Sequence, residues 1–235
     1  MIENRLPGET INKVWGNLSE TKKTNITNQV VIFLQNIKSI DAKNIQKNAY
    51  SITTGKKYHN FLDLITDKIN QKVLKIKKNK STRTILTSLL AIINNTKNKK
   101  LFTDKNTMDL VHGDLIIHNL LTDGKNLTGV LDWELSLIGD SDYDLFRLFY
   151  YQECAKAYEQ QKTDESFEID YMNKLVTTIL KSNLIKNKKV FYKKYQIARA
   201  IFIINALYWA TNSNAPKKNT KELIAQFNIK SGASA

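Results

Sequence analysis

The sequence predicts an α+β domain that is mostly helical, with one small β-hairpin at its centre. Three observations carry that reading. Apolar residues recur at helical spacing through most of the 235 residues. The recurrence breaks once, where short apolar runs flank Asp123-Gly124-Lys125-Asn126, a hairpin turn signal. Only two prolines and eight glycines interrupt the chain, which favours long helices with few elaborate loops.

Taken in order, Arg5-Leu6-Pro7-Gly8-Glu9 reads as a turn. Ile26, Val30, Phe33, Leu34 and Ile37 then place an amphipathic helix over about 25–40. Phe61, Leu62, Ile65, Ile69, Val73 and Ile76 repeat the pattern over about 60–77. Ile85, Leu89, Leu90 and Ile93 give a third helix, with Ser81 or Thr82 as its expected N-cap. Leu110 to His112 and Leu120 to Thr122 are short and extended, and Leu127 to Asp132 returns after the turn. Gly139-Asp140-Ser141-Asp142 opens the next helix, with Asp140 expected as N-cap. Further helices are expected over about 142–159, 167–183, 189–212 and 219–228. No internal repeat or low-complexity linker divides the chain.

The formal net charge of +14 sits mainly in lysine- and asparagine-rich patches, Lys72 to Lys80, Lys97 to Lys100, Lys186 to Lys194 and Lys217 to Lys221. Arginine is scarce and no nucleic-acid motif accompanies them, so solvated helix faces are the preferred reading over nucleic-acid binding. No run approaches the ~20 apolar residues of a membrane span, and no basic-then-apolar leader opens the chain. The single cysteine, Cys154, suits a reducing compartment and reads as a small buried apolar side chain. A cytoplasmic location with no membrane partner is the expectation.

The chemistry concentrates in Val111-His112-Gly113-Asp114-Leu115-Ile116-Ile117-His118-Asn119 and in Val130-Leu131-Asp132-Trp133-Glu134. Counting outward from the turn, Asn119 and Asp132 both fall near the open end of one antiparallel pair, where facing Cβ atoms lie ~4.5–5.5 Å apart. An amide oxygen and a carboxylate there suit a hard cation that keeps room for substrate phosphates. Asp114, in the loop leading in, is placed to accept a proton from an attacking hydroxyl. Phosphoryl transfer asks for little more than positioning, charge neutralisation and a proton acceptor.

These segments resemble the aminoglycoside phosphotransferase and choline kinase superfamily, which has a protein-kinase-like fold. His112-Gly113-Asp114 with Asn119 is similar to its HGDxxxxN catalytic loop. Val130 to Glu134 is similar to its metal-binding segment. Gly139-Asp140 with Tyr143-Asp144-Leu145 is similar to its GDPxxDL segment, with Ser141 at the usual proline. Leu6-Pro7-Gly8-Glu9 resembles the segment after the interlobe hinge, and Phe33 to Ile37 the helix that follows. The resemblance runs over nearly the whole chain in the right order.

It implies Asp114 as catalytic base and Asn119 and Asp132 as ligands of Mg2+, with ATP or GTP as donor and a small-molecule hydroxyl as acceptor. His112 would orient the loop, and Asp140 and Asp144 would cap a helix and brace it. Glu134 is read two ways, as a carboxylate for a cationic acceptor or as the partner of a nearby lysine. Trp133 is expected to pack, and His118 to be an incidental loop residue. Glu153, Glu159, Asp164, Glu165, Glu168 and Asp170 form a locally acidic stretch that would suit a polycationic acceptor, or simply a solvated helix end.

The resemblance also divides the chain, with residues 1–11 as a hinge-like segment and 12–235 as the large C-terminal lobe. Kinases of this fold carry a phosphate-covering loop, a strand lysine and a helical glutamate before the hinge. The expectation is therefore a lobe whose nucleotide-covering partner is missing, to be completed by a separate N-terminal lobe or by self-association. A choline- or ethanolamine-type kinase and a non-catalytic binding module stand as alternatives.

Overall fold

Ser19 starts the first long helix: its hydroxyl accepts from the Lys22 backbone N–H at 3.5 Å. The computed structural model describes residues 6–40, 49–51, 57–58, 61–76, 80–102, 108–159 and 166–212. A short strand β1 (Glu9–Thr10) and helical turn α1 (Ile11–Val14) lead into that helix, α2 (Glu20–Ser39). Its start precedes the expected one because the first turn, Glu20 to Thr24, has no apolar residue to show periodicity. Strands β2 (Ala49–Ser51) and β3 (Lys57–Tyr58) follow, then helices α3 (Phe61–Lys75), α4 (Lys80–Asn94) and α5 (Thr96–Lys99). Strands β4 (Met108–Val111), β5 (Leu120–Thr122), β6 (Leu127–Val130) and β7 (Leu137–Asp140) surround the central loops. Helices α6 (Tyr143–Glu159), α7 (Ser166–Lys181) and α8 (Lys188–Asn212) close the described chain. The expected helix over 219–228 and residues 1–5 of the hinge-like segment lie outside the described residues.

The expected hairpin is β5–β6, antiparallel, with Leu120 opposite Val130. Asp123 shapes its turn, accepting the Lys125 and Asn126 backbone N–H groups at 2.8 and 2.6 Å, while Gly124 takes φ +85°. The hairpin is not alone. β1 adds to β5, giving the order β1-β5-β6, and a second antiparallel sheet runs β3-β2-β7-β4.

Two expected caps are corrected. Helix α4 begins at Lys80, so Ser81 and Thr82 lie inside its first turn, and their hydroxyls suggest a start two or three residues late. Asp140 ends β7 and does not cap α6; the Asp142 carbonyl accepts the Phe146 N–H at 2.9 Å, and Asp142 occupies the cap. Strand β7 has no signal in the sequence, because Leu137-Ile138 is too short an apolar run to carry a period of two.

The core lies between α6, α7 and α8, where Phe146, Leu148, Tyr171, Leu175, Ile179, Ile197 and Ile204 are all buried. Burying such a side chain is worth roughly 1.5–3 kcal/mol each. A polar knot ties α2 to this layer: Asp170 accepts from Lys23 Nζ at 2.8 Å and from the Trp15 indole N–H at 2.9 Å. Trp15 in turn meets Tyr171 edge-on, 4.9 Å between centroids. Among the described residues no helix is long and apolar enough to cross a membrane.

Candidate active site

Strand β4 delivers His112-Gly113-Asp114 to the open end of the β5–β6 hairpin. The loop can follow this path only because residue 113 is glycine. Its φ is +83°, and a Cβ there would stand 2.4 Å from the Leu135 carbonyl oxygen. Asp144, in the first turn of α6, then fixes the loop from below. Its carboxylate accepts the His112 backbone N–H at 3.0 Å and that of Gly113 at 2.9 Å. Burial raises the Asp144 carboxyl above its ordinary range, and the two N–H bonds oppose that rise.

Four further hydrogen bonds close a ring. The Asp114 backbone N–H donates to His112 Nδ1 at 3.2 Å, and His112 Nε2 contacts the Leu131 carbonyl at 2.8 Å. Because Nδ1 accepts, the proton belongs on Nε2, which donates. The Leu131 N–H donates to the Asn119 carbonyl at 2.8 Å, and Asn119 Nδ2 donates to the Asp114 carbonyl at 2.9 Å. His112 is fully buried, and its ring packs 4.7 Å from Trp133.

The Asn119 amide spends its N–H on Asp114, which leaves its oxygen directed elsewhere. Asp132 follows Leu131 in the left-handed region, φ 60° and ψ 67°, with an exposed side chain. Asn119 stands across from Leu131, one residue short of Asp132, because a register irregularity between Leu121 and Thr122 takes up an extra residue on β6 and moves the pairing one step toward Asp132. Asn119 and Asp132 therefore share the open end of the hairpin one position out of step. Among the described residues no three His, Cys, Asp or Glu side chains form a metal cage. Two oxygen donors at an open edge instead match a cation that fills its shell with phosphate oxygens and water.

The Asp114 carboxylate has two partners that the sequence did not reveal. Arg147 Nη2 donates to Oδ1 at 2.5 Å, and the Tyr151 hydroxyl donates to the same oxygen at 3.2 Å. Arg147 also donates to the Tyr151 oxygen. Burial pushes the Tyr151 hydroxyl up to about 12, so it keeps its proton. Burial works against the Arg147 charge, but Tyr151, Tyr143 and Asp114 around it hold the guanidinium above its ordinary range. The available signal was a lone cation inside the apolar run Leu145 to Tyr151, one helical turn after Tyr143 and one before Tyr151.

Of the other expected site residues, Asp140 does not join this network; its carboxylate is buried against Lys194. Glu134 lies exposed in the turn Trp133–Leu135. Trp133 packs on His112 and Phe33 and donates its indole N–H to the Val130 carbonyl at 3.0 Å. Two cavities lie beside the hydrogen-bond partners of Asp114. One, about 240 Å³, lies beside Tyr151 and is lined by Ile116, Ile117, Cys154, Ile169 and Met172, with His118 and Glu168 also at its wall. The other, about 110 Å³, lies beside Arg147 and Gly113. Burial pushes the Cys154 thiol up to about 11, which keeps it unreactive at neutral pH.

The fold is similar to that of aminoglycoside phosphotransferases of known structure. The family model described as "Phosphotransferase enzyme family" matches residues 4–172, and the chain belongs to that family. A curated relative, the hygromycin-B 4-O-kinase of Escherichia coli, is 38% identical over 52 residues, which is 22% of this chain and 15% of that protein. Among solved structures, the fold is similar to a thermostable mutant of aminoglycoside phosphotransferase APH(4)-Ia in ternary complex with AMP-PNP and hygromycin B. The TM-score is 0.68 at 15% identity, over 95% of this chain and 68% of that one. It is similar also to ADP-bound aminoglycoside phosphotransferase APH(2'')-Ib, with a TM-score of 0.55 at 16% identity, over 97% of this chain and 69% of that one.

Proposed function

We propose that this chain is an ATP- and magnesium-dependent phosphotransferase, aminoglycoside-phosphotransferase-like, that moves the γ-phosphoryl group to a hydroxyl of a small molecule. The observation that carries the reading is the closed ring of hydrogen bonds through His112, Leu131, Asn119 and Asp114. It holds a carboxylate, an amide oxygen and the Asp132 backbone in one frame, which is the positioning such a reaction needs. Asp114 takes the proton of the acceptor hydroxyl as the new oxygen–phosphorus bond forms and the bond to the departing nucleoside diphosphate breaks. With Oδ1 engaged by Arg147 and Tyr151, Oδ2 is the oxygen that receives the proton.

Asn119 and Asp132 fit magnesium by donor chemistry, as two oxygen ligands at an open edge. When bound, the ion neutralises phosphate charge. GTP is the alternative donor. His112 and Asp144 hold the loop, Asp140 supports the fold beneath it, and Glu134 stands as a substrate-contacting candidate. In domain terms, residues 12–235 act as the lobe bearing base, metal ligands and acceptor site, with residues 1–11 as the hinge-like approach to it.

The test is magnesium-dependent ATP turnover across a panel of hydroxylated acceptors, hygromycin B among them, with Asp114→Ala as control. Loss of the base should lower the rate by ~10²–10⁴. Equal background rates for both proteins with every acceptor would sink the proposal.

A further inference from the structure

The smaller cavity beside the base is cationic. Lys68 and Lys72, one turn apart on α3, and Arg147 on α6 line it, with the neutral amide of Asn205 and the backbone of Gly113. None of its lining residues is acidic. Lys72 Nζ is held by the Asn205 amide oxygen at 2.7 Å and stands 5.7 Å from the Tyr208 ring centroid; neither partner carries a charge. Lys68 is exposed at the mouth. Desolvation, then the like charges of Lys68 and Arg147, lower the Lys72 ammonium below the usual lysine range. Arg147 uses Nη2 on Asp114 and Tyr151, and its Nε is buried with no hydrogen-bond partner among the described residues. Three cations thus gather around one small cavity, and one of them, Arg147, bonds the carboxylate of Asp114.

Among the described residues of the acidic stretch, two carboxylates are already engaged. Glu153 is bound by Arg199 and by the Tyr195 hydroxyl, each at 2.6 Å, and Asp170 by Lys23. Glu168, at the other cavity, lies 3.5 Å from His118.

We infer that the cavity formed by Lys68, Lys72 and Arg147 seats an anionic group of the acceptor, a carboxylate or a phosphate, beside Asp114. Arg147 both walls the cavity and bonds the base, so a hydroxyl on a molecule anchored there is presented to Asp114. The site selects hydroxylated anions over polycations. This assignment rests on the phosphotransferase reading, although the anion site itself can be tested without it.

The probe is inorganic phosphate, titrated into the full chain at constant ionic strength while the thermal midpoint is followed. Saturable stabilisation is expected, with affinity at least tenfold weaker in Lys72→Met and several-fold weaker in Lys68→Met. Lys68 makes no hydrogen bond or ion pair among the described residues, so its variant reports on charge without disturbing the fold. Lys125→Met, an exposed lysine on the hairpin turn, should bind phosphate as the parent does. Equal loss in all three variants, or no saturable binding, overturns the site.

A second titration separates the acceptor's anion from the donor's phosphates. Phosphate and magnesium–AMP-PNP should bind together. Competition between them would give the cavity to the donor and overturn the acceptor assignment. A chain that binds phosphate but never AMP-PNP would instead overturn the phosphotransferase reading, and the acceptor assignment with it, while leaving the anion site standing.

Discussion

Lys194 on α8 and Asp140 at the end of β7 form a buried ion pair, Nζ to Oδ2 at 2.6 Å, with side chains only 5% and 1% exposed. It anchors α8 to the sheet whose strand β4 leads into the His112-Gly113-Asp114 loop. Burial outweighs the attraction of the Lys194 ammonium and pushes the Asp140 carboxyl up from 3.8 to about 6. The native protein therefore holds a proton there that the unfolded chain has released between these values. Stability from this group is fully present below about pH 4 and is lost as pH rises through about 6. The full shift corresponds to on the order of 3 kcal/mol. Urea unfolding at pH 4 and pH 7 should show the parent losing stability relative to Asp140→Asn across that window. Lys194→Met should cost ~3–5 kcal/mol at pH 7, where it strands a buried carboxylate, and less at pH 4.

Gly113→Ala should be among the most damaging single-methyl changes in the chain. The added Cβ meets a backbone carbonyl at 2.4 Å while φ stays positive, so neither neighbour nor torsion can yield cheaply. A loss of roughly 2–4 kcal/mol in a chemical melt is expected, with ATP turnover abolished.

Asp132→Gly should separate stability from function. The exposed aspartate sits at φ 60°, a region glycine enters freely, so melting should be unchanged or improved by up to ~1 kcal/mol. Magnesium-dependent AMP-PNP binding should fall at least tenfold. Retained binding would remove Asp132 from the ligand set.

Asp144→Asn leaves one oxygen to serve two backbone donors. It should destabilise the chain by about 2 kcal/mol, and amide exchange at His112 and Gly113 should quicken ahead of the rest of β4.

The parts legible in the sequence were those with local causes. The β5–β6 hairpin announced itself through Asp123-Gly124, and α3, α7 and α8 through apolar spacing. Asp114, Asn119 and Asp132 stood out because their separations along the chain are themselves the motif. What was not legible depended on partners far apart. Arg147 lies 33 residues from Asp114 and Lys194 lies 54 from Asp140, and no local pattern says which carboxylate a helical cation will meet. The second sheet was missed for a related reason: strands of two to four residues gain their identity from pairing, not from a period of their own.

The hydrogen-bonded ring through His112, Leu131, Asn119 and Asp114 draws on the backbone or side chains of the loop and hairpin alone, and no cavity-lining side chain of α3, α6 or α7 belongs to it. Inheritance can therefore treat the two halves of the site differently. The hydrogen-bonded frame depends on the side chains of His112 and Asn119 alone, since Leu131 and Asp114 enter it through their backbones. Outside Asp144, Arg147 and Tyr151, which hold the loop and the Asp114 carboxylate, the surrounding helices can drift residue by residue and reshape the cavities without touching that frame.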